Sequence, residues 1–165
     1  MAIVKDPESH EYAFEDVQCP SVKELSDYWF SLRSEGDFPL VGQFDLIEFP
    51  EYAPWIAISD VMDGGADFRF RMVGTKIARV FGGDITGASL SDGNRQHVEE
   101  RIGLIYRYVC MLGGPVWGGG RVGNVEGRAG FESAAALLPL ANEAGAISQI
   151  IHMVRLEDPQ GGWIR

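Results

Sequence analysis

Apolar residues first take up a helical period between Ser21 and Glu35. In SVKELSDYWFSLRSE, Val22, Leu25, Trp29 and Leu32 return every three or four positions, with Tyr28 beside them. Ser21 and Glu24 have capping-box spacing just after Pro20, and Gly36 supplies a stop, so the pattern predicts a helix over 21–35 with one large apolar face. That face needs a partner. The stretch before it, residues 1–20, is polar and aperiodic and reads as an arm that docks locally. From Phe38 to Pro54, three prolines and no sustained period predict a connector with short turns.

The period then changes to two. WIAISDVM and DFRFRMV are separated by Asp63, Gly64, Gly65 and Ala66, residues that tolerate positive φ, which predicts an antiparallel hairpin. Strict alternation puts Phe68, Phe70 and Met72 on one face and leaves Arg69 and Arg71 on the wet one, where either can pair with an acidic neighbour. After Gly74, Thr75 is placed to cap a short helix in which Ile77, Val80 and Phe81 share a side, and Gly82 ends it. DITGASLSDGN is turn chemistry. NRQHVEERIGLIYRYVCMLGG then predicts a long helix with a stripe of Val98, Ile102, Ile105, Val109 and Leu112. PVWGGGRV, GRAGFESAAALLPL and AISQIIHMV read as short strands, the last two joined through Asn142 to Gly145 as a hairpin.

The resulting order is helix, two strands, short helix, long helix, three strands. It resembles the PAS fold, an α+β arrangement with an antiparallel sheet of about five strands, helices on one face and an additional N-terminal helix. YWFSLR at Tyr28–Arg33, FRFRMVGTKIARVFGGDITG at Phe68–Gly87, and LLPLANEAG at Leu137–Gly145 resemble a PAS-like family of short bacterial proteins. The resemblance divides the chain into an arm at 1–20, a PAS-like domain at 21–157 and a tail at 158–165. It implies a sensory or regulatory module in signal transduction that binds a small apolar ligand or a signalling protein partner. Phe70, Met72, Phe81 and Ile102, with Phe68 and Ile77 beside them, would then line a pocket, and Tyr106 and Trp117 would supply its polar contacts. The same residues serve equally as core filling. The resemblance further implies a homodimer through Leu25, Tyr28, Trp29 and Leu32; docking of that face on the chain's own sheet is the other reading.

Charge and chemistry narrow the rest. Lys plus Arg is 14 against 24 Asp plus Glu, a net charge of −10, with no basic stripe, which argues against nucleic acid. Lys5, Asp6 and Glu8 interrupt the place of a signal peptide and no apolar run approaches a membrane span, so a cytoplasmic protein away from membranes is expected. Cys19 and Cys110 form no C-x-x-C pair and read as reduced thiols, with no metal site. The cofactor is unknown. Flavin-attaching PAS relatives carry an Asn-Cys-Arg-Phe setting, absent here, and haem-binding ones use a histidine on the long helix, for which His97 is the candidate by position. His152, between Ile151 and Met153, reads as a satisfied sheet histidine, and His10 lies in the arm. GGGRVG at Gly118–Gly123 matches a dinucleotide fingerprint by spacing only, because no helix follows it, and reads as a flexible hairpin loop with Trp117 at its base. No serine elbow and no deaminase cysteine pair accompany these residues, so no catalytic residues are assigned and a non-enzymatic module is favoured. The alternative is a small α+β enzyme acting on a hydrophobic substrate.

Overall fold

The computed structural model describes residues 9–34, 37–92, 96–122 and 131–165. Six strands form one antiparallel sheet in the order β1-β4-β5-β6-β2-β3. They are β1 (Ser9–Tyr12), β2 (Ile56–Met62), β3 (Asp67–Val73), β4 (Val116–Val122), β5 (Phe131–Ala141) and β6 (Ile147–Glu157). The expected α+β sheet of about five strands is present as β2–β6, and the arm adds β1 along the outer edge of β4. Helices α2 (Thr75–Val80) and α3 (Gln96–Leu112) pack on one face and α1 (Pro20–Ser31) on the other. The sheet is therefore buried on both sides. Each side has its own core: Phe68, Phe70, Ile77, Phe81, Ile102, Tyr106 and Val109 under α2 and α3, and Leu25, Trp29, Leu138, Ile151 and Met153 under α1.

Turn chemistry sets the two hairpins. At β2–β3, Asp63, Gly64 and Gly65 take φ of 50°, 68° and 101°; the two glycines do so without a Cβ penalty, and Asp is among the residues that tolerate the left-handed region. At β5–β6, Asn142 Oδ1 accepts from the N–H groups of Ala144 (3.0 Å) and Ala146 (3.1 Å), and Gly145 has φ 83°.

Several local expectations change. Helix α1 starts at Pro20, so Ser21 sits inside its first turn and is no cap; the helix ends at Ser31, and the expected stop at Gly36 lies outside the described residues. Gly74, not Thr75, is the N-cap of α2. On α3 the inward stripe runs through Ile102, Tyr106 and Val109, whereas Leu112 is half exposed. Gly118, Gly119 and Gly120 form no loop: they are the middle of β4, paired to β1 on one side and to Ser133, Ala134 and Ala135 of β5 on the other. Gly123 lies outside the described residues. The tail folds back, with Trp163 bridging Glu157 and the Ile164 N–H donating to the Leu156 carbonyl at 2.8 Å.

The face of α1 read as a dimer interface is covered by the chain's own sheet. Leu25 and Trp29 are completely buried, and the Trp29 indole N–H donates to the Pro139 carbonyl at 2.8 Å. Tyr28 and Leu32 are half-buried, and the Tyr28 ring lies against Phe44 and Phe49 of the connector. Burial of this face within one chain leaves Leu25 and Trp29 nothing to offer a second copy.

Candidate functional site

Four of the six predicted pocket residues meet between the sheet and the helices α2 and α3. Phe70 of β3, Phe81 just after α2, and Ile102 and Tyr106 of α3 belong to one buried cluster. The rings of Phe70 and Phe81 lie 5.8 Å apart, and that of Phe70 lies 6.2 Å from Tyr106. Met72 and Trp117 are on the opposite face. For Met72 the cause is a β-bulge. Ser59 pairs with Phe70 but Ile58 pairs with Met72, so Arg71 is an extra residue and the alternation of β3 reverses there. Val73 replaces Met72 on the α3 side. Trp117 points toward α1, where its indole N–H donates to Ser26 Oγ at 2.9 Å.

The chemistry of this interior comes from Tyr106 and from two residues the pocket prediction did not include. His152 of β6 and Ser59 of β2 project from the sheet beneath Tyr106, and all three are buried. Ser59 Oγ–H donates to Tyr106 Oη at 3.5 Å, and the Tyr106 hydroxyl lies 3.1 Å from His152 Nδ1. With Tyr106 as the donor to Nδ1, the proton of neutral His152 is on Nε2. The surrounding walls are aromatic: Phe68 lies 5.3 Å from the Tyr106 ring, and Phe81 lies 5.8 Å from His152. Burial disfavours charge, lowering His152 to about 4 and raising the Tyr106 phenol well above its ordinary range. Both groups are neutral near pH 7, and the three form a donor chain of hydroxyl, phenol and imidazole. A polar residue at an inward strand position, as at Ser59 and His152, is the sequence signal for such a set.

Other candidates fall elsewhere. The side chain of His97 lies outside the described residues, as does that of Val98. Asp60 takes two hydrogen bonds from Arg71 at 3.0 Å and one from Gln149 at 2.8 Å, the acidic partner anticipated for one of the strand arginines. Arg71 is exposed, so this pair adds at most about 1 kcal/mol. Among the described residues no Asp or Glu is buried, and no cluster of His, Cys, Asp and Glu is placed to hold a metal ion. Cys19 and Cys110 are free. No described helix is long and apolar enough to cross a membrane.

Comparison with known proteins bears on the whole arrangement. A family model described as a PAS domain matches residues 17–154. Among curated proteins none matches the chain. A solved structure titled as that of an RNA-binding light-oxygen-voltage receptor is similar at 20% identity and a TM-score of 0.43, covering 74% of this chain and 36% of that one. The chain thus spans about a third of the length of that receptor.

Proposed function

The chain belongs to the PAS domain family, and from that we propose that it is a sensory module whose α3-side interior binds a small, mostly apolar molecule carrying one hydrogen-bonding group. A single observation carries this reading: Ser59, Tyr106 and His152 converge in an otherwise apolar interior. A ligand entering there would find apolar walls for its body and a neutral donor–acceptor chain for its polar end. The signal would leave through a protein partner. Leu104 and Met111 on the outer side of α3 are 43% and 68% exposed, and α3 is the element that holds Tyr106.

Phenol and toluene have nearly the same shape and differ by one hydroxyl. Thermal unfolding of wild type and Phe81→Ala, titrated with each, tests the reading. Truncating Phe81 opens space beside His152, so phenol is expected to raise the melting temperature of Phe81→Ala more than toluene does, and His152→Leu in that background is expected to erase the difference. A loss of about 3–5 kcal/mol in Phe81→Ala with no response to either compound would leave these residues as core filling only.

A further inference from the structure

Helix α1 begins uncapped, with Cys19, Ser21 and Val22 buried and Pro20 exposed. Pro20 has no N–H, Cys19 at the N-cap makes no side-chain capping bond, and the Lys23 N–H donates to the Cys19 carbonyl at 3.0 Å. The N–H groups of Ser21 and Val22 precede that bond with no side-chain cap, although the two residues are only 8% and 0% exposed. Buried backbone donors are nearly always paired, and a helix start gathers about half a positive charge. Arg155 brings a full charge to the sheet face that α1 covers. It stands on β6 opposite Ala134, on the α1 face of the sheet, and is 8% exposed. Its guanidinium is within electrostatic reach of Cys19, the N-cap of the helix, and of the Tyr52 phenol. The Trp55 ring lies 4.8 Å from the guanidinium carbon, and Nη2 donates to the Ile164 carbonyl at 2.9 Å, but Nε has no hydrogen-bond partner. Among the described residues no carboxylate forms an ion pair with it.

A buried guanidinium without a counter-ion, beside a helix start without a cap, is costly twice over, and one anion relieves both. We propose that this corner binds a small, singly charged carboxylate, whose oxygens take the Arg155 Nε–H and the amides of Ser21 and Val22. Single charge fits the surroundings, because Tyr52 donates its hydroxyl to the Glu24 carboxylate, and a dianion would face that negative group. The flat guanidinium edge suits a planar carboxylate, and Trp55 offers an apolar wall for the rest of the molecule. Arg155 stands on the sheet face opposite Tyr106 and His152, while Trp55 and Ile164 border the Tyr106 core; binding at Arg155 does not require a ligand at Tyr106. Occupation would join the start of α1, strand β6 and the returning tail, since the Ile164 carbonyl shares the same guanidinium.

The full chain is titrated with sodium acetate, sodium benzoate and sodium sulfate against sodium chloride at constant ionic strength. The melting temperature and the 15N–1H signal of Arg155 Nε are followed. The proposal expects both carboxylates to raise the melting temperature saturably and to move the Nε signal, with sulfate doing neither. Arg155→Met should lose the thermal response, and Arg155→Lys, which keeps charge but lacks Nε, should need at least about tenfold more carboxylate. An Nε signal that stays still, or a thermal response shared equally by all the salts or retained in Arg155→Met, would overturn the site. Saturable movement with sulfate alone would overturn its carboxylate class. Should Arg155→Met fail to fold, the wild-type Nε titration decides by itself.

Discussion

Lowering the pH from 7 to 4 should destabilise the protein through His152 in particular. The imidazole titrates at about 6.5 when unfolded and is lowered to about 4 by burial, a gap of about 2.5 pH units. Above pH 6.5 it is neutral in both states and its contribution to stability is fully present. As the pH falls through that value the unfolded chain takes up a proton that the folded chain refuses, so stability is lost progressively until about pH 4. At about 1.4 kcal/mol per pH unit, the gap amounts to about 3 kcal/mol. Geometry reinforces the direction, because protonated Nδ1 would confront the Tyr106 hydroxyl that donates to it, 3.1 Å away. Urea unfolding at intervals between pH 7 and 4 measures the effect. Carboxylate titration affects wild type and His152→Gln alike, so the difference between the two curves isolates the histidine. That difference should change by about 3 kcal/mol in favour of His152→Gln on acidification. Parallel curves, or a ring titration by NMR in the folded protein near pH 6.5, would refute the reasoning.

Two further outcomes follow from the packing. Trp29→Ala removes a completely buried indole and its bond to the Pro139 carbonyl, so it should lose about 3–5 kcal/mol in urea unfolding while its mass by light scattering stays that of wild type; a change in mass would return α1 to an interface. Gly74→Ala should lose at least about 2 kcal/mol, because its Cβ would fall 2.2 Å from the Ala53 carbonyl oxygen. Gly82→Ala, at φ 80° with open space around it, should lose only about 1 kcal/mol; equal losses would mean that the β2 approach is able to shift and make room for the methyl group at residue 74.

Local signals carried far in this chain. The positive-φ residues Asp63–Gly65 and the Asn142–Gly145 turn mark both hairpins, and the spacing of Ile102 and Val109 marks the buried side of α3. Where the pattern failed, the cause was an event that periodicity does not encode. One extra residue at Arg71 reverses the alternation of β3, and with it the side taken by Met72. Gly118–Gly120 carry no side chains from which a strand can be read, and only pairing to both β1 and β5 makes them one.

The deeper limit lies in the second covered face. Alternation in IIHMVRLE distinguishes odd from even positions, and a reader who assumes that one face is wet assigns Arg155 to water. Here α1 covers that face, so Ile151 and Met153 are as buried as Ile150 and Val154, and the arginine following them is buried too. The charge of Arg155 is visible in the sequence; its burial beside an uncapped helix start depends on α1 docking across the sheet, a contact between residues more than a hundred positions apart. A short polar residue at such a position can borrow a backbone partner, as Ser26 does from the Val22 carbonyl at 2.6 Å. A guanidinium whose Nε has no partner in the chain has no such recourse, and an anion from solution is the partner that would satisfy it.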